Sequence, residues 1–259
     1  MSPPYARKRF GQHYLVDEEV IDQIVALIAT RPTDQLIEIG PGRGALTAPL
    51  ARLGGRLTVI EIDRELGAII ERNFGHQTGF TIHIEDALKV DYPSLIDAGS
   101  VRVVGNLPYN ISTPLILKLM DQQMAIDDMT FMLQKEVVDR LAATPGTKAY
   151  GRLSVIVQSK GRVEPFFEVP PLAFAPPPKV TSKLVRITPQ SGALSPLQRE
   201  HLESSVRIAF GQRRKTIKNT LGKMVEHDVL QDCGISLKER PEDITVACYV
   251  RLAQALAGR

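Results

Sequence analysis

The sequence predicts an α/β fold: a mostly parallel sheet of nucleotide-binding type whose last strand is antiparallel, followed by a small helical domain. Three observations predict it. Short apolar runs alternate with segments of helical period as far as Thr188, the pattern of βαβ units. The first full run ends in Gly40-Pro41-Gly42-Arg43-Gly44, a glycine-rich turn that opens a helix. Beyond Pro189-Gln190-Ser191-Gly192 the pattern is helical only. A chain of 259 residues is long enough for one large domain and one small one. The expected division is 1–188, with a basic N-terminal segment 1–16, and 189–259.

In order, Asp17 is an N-cap with Glu18 and Glu19 in the first turn, and Val20, Ile21, Ile24, Val25 and Ile28 follow at helical spacing. Leu36 to Ile39 is a strand, the Gly-rich turn follows, and a helix runs from Ala45 to Leu53. Arg56 to Asp63 is a second buried strand, with Asp63 suited to cap the helix Arg64 to Phe74. Phe80 to Ile84 is a third strand, ending in Glu85-Asp86-Ala87. Val101 to Val104 is a fourth, broken at Gly105 and followed by Asn106-Leu107-Pro108-Tyr109-Asn110. Ser112-Thr113-Pro114 starts a helix reaching to about Met124. Met129 to Leu133 is a fifth strand, with helices at Lys135 to Leu141 and Leu153 to Ser159 and a sixth strand at Val163 to Val169. Pro170 to Lys179 holds five prolines around Phe174, a stiff extended loop with an exposed-looking aromatic. Val180 to Ile187 returns antiparallel, because the connection is too short for a helical crossover. The helical domain comprises Leu197 to Phe210, Arg213 to Leu221, Val225 to Leu230 and Pro241 to Ala257.

The net charge of +3 says little, but its distribution is uneven. Arg7, Lys8 and Arg9 lie in an N-terminal segment free of acids. Arg207, Arg213, Arg214, Lys215, Lys218 and Lys223 lie in a second such stretch. Basic clusters of this kind are a nucleic-acid footprint or a solvated helix face. Cys233 and Cys248 are too few for a disulfide framework and lack metal-site spacing, so no metal is expected. With neither a signal-peptide pattern nor a long apolar run, the expectation is a cytoplasmic chain that does not enter membranes.

The chemistry collects at four strand ends, where open parallel sheets bind their ligands. Gly40 allows a ligand close to the backbone. Glu61 stands where a carboxylate takes ribose hydroxyls, and Asp86 where it accepts a bond from an adenine amino group. Asn106 offers a carbonyl acceptor. Pro108 restricts Leu107 to an extended backbone, and Tyr109 adds a ring, so the cluster suits a flat group bearing an NH2. An ordinary strand-to-helix turn is the alternative for Asn106 to Asn110 taken alone.

Glu38-Ile39-Gly40-Pro41-Gly42-Arg43-Gly44 resembles the first motif of S-adenosylmethionine-dependent methyltransferases. Asn106-Leu107-Pro108-Tyr109 resembles the motif of enzymes that methylate planar amino nitrogens. Together with Arg9-Phe10-Gly11-Gln12-His13-Tyr14-Leu15, Phe174-Ala175-Pro176-Pro177-Pro178-Lys179-Val180 and Arg213-Arg214-Lys215-Thr216, they make the chain similar to the bacterial small-subunit rRNA adenine dimethyltransferases, the kasugamycin-sensitivity enzymes, over about residues 7–255. The pair His13-Tyr14 departs from that pattern, since many members have Asn-Phe there.

The resemblance implies a Rossmann-like methyltransferase sheet and S-adenosylmethionine as cofactor. It implies dimethylation at N6 of two adjacent adenosines in the 3′-terminal hairpin loop of 16S rRNA, within the 30S subunit or its precursor, by a monomer. Carried over residue by residue, the cofactor contacts are His13, Leu15, Gly40, Glu61, Asp86 and Asn106, and the catalytic group is Asn106, Leu107, Pro108 and Tyr109. Tyr109 and Phe174 would stack on the target base, although Phe174 also reads as a core plug from a Pro-rich loop. RNA contacts fall to Arg7, Lys8, Arg9, Arg207, Arg213, Arg214, Lys215 and Lys218.

Three alternatives compete: a large-subunit rRNA methylase of the macrolide-resistance type, a NAD-dependent oxidoreductase, and a non-catalytic ribosome-assembly factor. The glycine spacing, Gly-x-Gly-x-Gly, counts against the oxidoreductase. The Phe174 loop favours the small-subunit enzyme over the large-subunit one.

Overall fold

The computed structural model describes residues 12–53, 55–96, 99–122, 125–190, 192 and 194–258. By its contacts the chain divides into two compact units. One holds the residues up to Val138 together with Glu164–Thr188, and the other holds Asp139–Val163 together with the residues from Pro189 onward.

The first unit is built on a sheet whose strands are β2 (Gln35–Ile39), β3 (Arg56–Glu61), β4 (Phe80–Ile84), β5 (Val101–Asn106), β6 (Ile126–Gln134), β7 (Gly161–Val169) and β9 (Ser182–Pro189). They lie in the order β4-β3-β2-β5-β6-β9-β7. The pairs β2–β3, β3–β4, β2–β5 and β5–β6 are parallel, and β6–β9 is antiparallel. This is the mostly parallel sheet with an antiparallel last strand that the sequence predicts. From β2 the chain steps outward to β3 and β4, then returns to place β5 on the other side of β2. The reversal leaves a crevice beyond the carboxyl ends of β2 and β5, the topological switch point where such sheets bind ligands.

The helices of this unit form close to where the sequence places them, for local reasons. In α1 (Glu18–Ile28) the Asp17 side chain accepts from Val20 N at 3.2 Å, and Glu18 and Glu19 complement the positive end of the helix dipole. Ile24 and Ile28 are its buried face. In α3 (Arg64–Phe74) Asp63 is the cap, accepting from Glu65 N at 3.0 Å, as expected. The remaining helices here are α2 (Thr47–Arg52), shorter than the expected Ala45–Leu53, and α4 (Ser112–Asp121); α5 (Lys135–Leu141) leads out of the unit. Strand β5 packs so tightly on β2 that a Cβ on Gly105 would collide with the Ile39 carbonyl oxygen. The expected break at Gly105 is absent: the strand runs through it to Asn106, and the glycine is there because no side chain fits against β2.

Two short strands escape sequence reading. β1 (Tyr14–Leu15) pairs antiparallel with β8 (Phe174–Ala175), with Leu15 opposite Phe174. Val16 N extends the contact by donating to Ala173 O at 2.9 Å. The Pro-rich loop is thereby strapped to the segment before α1. Phe174 points inward from it. It is 3% exposed and belongs to a core cluster with Leu15, Val169, Ala173 and Leu184. The exposed aromatic expected at this position is a buried one, because the strand pairing turns its side chain toward the core.

The second unit contains α6 (Arg152–Gln158), α7 (Pro196–Gly211), α8 (His227–Asp232) and α9 (Val246–Ala257). Ser195 and Gln198 cap α7 reciprocally, and Thr245 caps α9. α6 packs on α7 and α9, which moves Asp139–Val163 out of the 1–188 domain expected from sequence. The phenols of Tyr150 and Tyr249 donate to the Ile244 and Pro241 carbonyls, and the Phe210 ring packs against both tyrosines. The helix expected over Arg213 to Leu221 is absent. Two 3-10 turns, Ile217–Asn219 and Leu221–Lys223, take its place. The β-branched Thr216, Ile217 and Thr220 disfavour a helix, and the Thr220 hydroxyl turns back onto the Thr216 and Ile217 carbonyls.

Candidate functional site

The switch-point crevice is a cavity of about 300 Å³. All six residues expected to hold a cofactor line it: His13, Leu15, Gly40, Glu61, Asp86 and Asn106. Leu107, Pro108 and Tyr109 line it as well. Residues far apart in sequence converge because parallel strands present their carboxyl ends together.

The turn after β2 shapes the floor. Gly40 has φ +70°, which side-chain-bearing residues rarely adopt. Gly42 is also left-handed, and a Cβ there would lie 3.1 Å from the Tyr14 ring. At the end of β3, Glu61 is 4% exposed. It accepts from Asp63 N at 2.9 Å and from Gly42 N at 3.3 Å, so one carboxylate ties the β3 end to the glycine turn. Burial raises its pKa, and these backbone bonds work against the rise. Past β4, Asp86 accepts from Leu88 N at 2.9 Å.

At the end of β5 the Asn106 amide nitrogen donates to the His13 carbonyl at 3.1 Å. An amide whose NH2 is committed in this way has its carbonyl oxygen fixed in orientation, which makes Asn106 a preset acceptor. Leu107 is buried, and its N–H donates to Met132 O at 3.2 Å. The Tyr109 ring stacks on the His13 imidazole, centroids 5.9 Å apart at 26°. His13 Nδ1 lies 2.8 Å from the Pro176 carbonyl. The segment before α1, the strand-end motif and the Pro-rich loop thus meet at His13. Phe174 does not line the cavity, so the expected Tyr109–Phe174 sandwich is replaced by a Tyr109–His13 stack with Phe174 in the core.

Glu38 stands in the glycine-rich motif, and the sequence predicts no role for it. It lies within β2, lines the cavity and is 1% exposed. Its Oε2 and the neighbouring Thr47 hydroxyl are both buried and lack a hydrogen-bond partner of good geometry. Burial raises its pKa to about 7, opposed by the nearby Thr47 hydroxyl and helped by a smaller push from Glu61. An acid inside an otherwise apolar strand was the signal available in the sequence. Two buried carboxyls in the cavity lining favour a ligand carrying positive charge and hydroxyls. An S-adenosyl amino acid fits that donor set, with the glycine turn admitting it close to the backbone.

The raised pKa of Glu38 predicts a pH dependence. Between the ordinary carboxyl value of 4.5 and about 7 the folded chain holds a proton that the unfolded chain has released. Stability from this group therefore falls as pH rises through that window and levels off above it. Replacing Glu38 with Gln removes the charge and should raise the stability of the ligand-free protein at pH 8 by up to about 3 kcal/mol. At pH 4, below that window, the two proteins should unfold nearly alike. Urea unfolding at both pH values measures the difference.

The basic residues divide. Arg7, Lys8 and Arg9 lie outside the described residues. Arg207, Arg214, Lys215 and Lys218 are exposed. Arg213 is instead built into the second unit: its Nε pairs with Glu242 at 2.8 Å and its Nη2 donates to the Lys148 carbonyl at 2.9 Å. No helix among the described residues is long and apolar enough to cross a membrane.

Comparison with known proteins follows the same lines. A family model described as ribosomal RNA adenine dimethylase matches residues 5–258. Ribosomal RNA small subunit methyltransferase A of Pseudomonas savastanoi pv. phaseolicola is 50% identical, covering 98% of this chain and 96% of its own. The protein of the same name from Marinobacter nauticus is 47% identical, covering 97% and 92%. Among solved structures, a dimethyladenosine transferase from Plasmodium falciparum superposes with a TM-score of 0.80 at 25% identity, covering 93% of this chain and 96% of its own. The 23S rRNA methyltransferase ErmE shares the fold, with a TM-score of 0.75 at 22% identity over 94% of this chain and 99% of its own.

Proposed function

The chain belongs to the ribosomal RNA adenine dimethylase family, and from that premise we propose that it dimethylates N6 of two adjacent adenosines in the 3′-terminal hairpin loop of 16S rRNA, using S-adenosylmethionine. The observation that carries the reading is the preset Asn106 acceptor at the switch-point cavity. The substrate is the 30S subunit or its precursor, met in the cytoplasm by a monomeric enzyme.

The adenine N6 lone pair is delocalised into the ring and makes a poor nucleophile. The Asn106 carbonyl and the Leu107 carbonyl accept its two hydrogens, which favours a pyramidal nitrogen with its lone pair directed into the cavity. Tyr109 supports the ring face, with stacking worth roughly 1–3 kcal/mol. S-adenosylmethionine, when bound, supplies an electrophilic methyl group. Glu61 and Asp86 would hold its nucleoside part, and the Glu38 carboxyl would suit its positively charged part. Positioning provides much of the rate. As positive charge grows on N6, the carbonyl dipoles of Asn106 and Leu107 stabilise it. The surplus proton leaves to water.

Labelled methyl transfer to unmethylated 30S and 50S particles, followed by nucleoside analysis, tests this reading. N6,N6-dimethyladenosine in 30S particles alone is expected. Label confined to 50S particles would replace the reading with the macrolide-resistance activity.

RNA binding falls to the exposed cations. Lys215→Ala should lower the slope of log affinity against log salt by about 0.7–0.9, the value of one phosphate contact, with an unchanged melting temperature. Arg213→Ala should instead lower the melting temperature, since its guanidinium already serves Glu242 and Lys148. Salt titrations of the two variants, with thermal melts, separate the roles.

A further inference from the structure

Tyr109 is held from a second side by a residue outside the cavity. Its hydroxyl lies 2.9 Å from the Ser182 Oγ. Ser182 is the first residue of β9, is 0% exposed and pairs in register with Gln134 at the end of β6. Burial raises the Tyr109 pKa, and the bond to Ser182 opposes the rise; either hydroxyl can donate across the pair. Tyr109 thus spans from the end of β5 across β6 to a rigid point on the sheet, while its ring face rests on His13. Ser182 does not line the cavity.

The chemistry assigns this bracket a particular burden. Adenosine N6 carries two hydrogens before the first transfer and one before the second. In each transfer the N6–C bond forms as the carbon–sulfur bond breaks, sulfur keeps the bonding pair, and one N6 proton passes to water. At the first transfer two carbonyl acceptors, Asn106 and Leu107, each have a hydrogen to grip. At the second only one grip remains, so the orientation of the base depends more on the ring that supports it. We propose that Ser182 is a positioning residue that determines how far methylation runs, fixing Tyr109 so that the monomethylated base is held for its second methyl. This rests on the adenine dimethylation reading above.

The test is a time course on unmethylated 30S particles with wild type, Ser182→Ala, Ser182→Thr and Tyr109→Phe, measuring N6-methyladenosine against N6,N6-dimethyladenosine. Ser182→Ala should raise the mono-to-dimethyl ratio about fivefold, the fold-change of one neutral hydrogen bond. Tyr109→Phe, which loses the same bond and keeps the ring, should do likewise even if Ser182→Ala folds poorly. Ser182→Thr, which keeps the hydroxyl, should restore the wild-type ratio. A merely structural role for Ser182 would lower both products together, and a wild-type ratio in Ser182→Ala and Tyr109→Phe overturns the inference. A wild-type protein that makes no dimethyladenosine overturns the parent reading instead, and the inference with it.

Discussion

Asn106→Ala should lower methyl transfer to 30S particles by at least about 100-fold while RNA affinity stays within about twofold of wild type. The substitution removes both ends of one device: the carbonyl proposed to accept an N6 hydrogen, and the amide whose bond to His13 O holds that carbonyl in place. Loss of a preorganised charge-stabilising group costs about 3–4 kcal/mol in other enzymes, which is two to three decades of rate. The neighbouring backbone is fixed independently by Leu107 N to Met132 O, so the fold should survive. Single-turnover rates with particle-binding assays measure both quantities. A turnover close to wild type would remove Asn106 from the chemistry.

Phe174→Ala should destabilise the protein by about 3–5 kcal/mol, the usual cost of emptying an aromatic site in a packed core. The ring is 3% exposed against Leu15, Val169 and Leu184, and nothing else can fill its place without moving β1. Phe174→Leu should cost far less stability and keep most of the activity, because an aliphatic plug serves a core nearly as well as an aromatic one. If the ring stacked on the target base, Leu would instead lose activity at little cost in stability. Chemical denaturation and transfer rates on the two variants decide between core plug and stacking face.

The contrast between these two residues shows what a sequence displays and what it hides. Gly40, Glu61, Asp86 and Asn106 were legible because each interrupts an apolar run at its carboxyl end, and a parallel sheet gathers such ends. Their collection around one cavity follows from topology alone. Phe174 was not legible: a single aromatic among prolines has no period, and its direction depends on pairing with Leu15, more than half the chain away. Strands of two residues, β1 and β8, leave no pattern to read. Glu38 was visible as an acid in an apolar strand, but its missing partner is a fact of packing. Arg213 looked like its exposed basic neighbours until Glu242 was placed beside it. The helical excursion Asp139–Val163 reads as part of the preceding sheet region, since membership of a unit is set by contacts and not by chain order.

The strap between β1 and β8 also has a consequence in time. Phe174 and Ala175 leave the ribosome on the order of ten seconds after Tyr14 and Leu15 at ordinary rates of synthesis. Until they arrive, the residues around His13 lack their partner strand, and the carbonyl that orients Asn106 has no fixed address. The Asn106 amide at the end of β5 is therefore made before the partner strand that completes its surroundings. A nascent chain from which Phe174 has not yet emerged would hold the ends of β2 to β5 without the strap beside His13, so the grip proposed for Asn106 is complete only after most of the sheet has been translated.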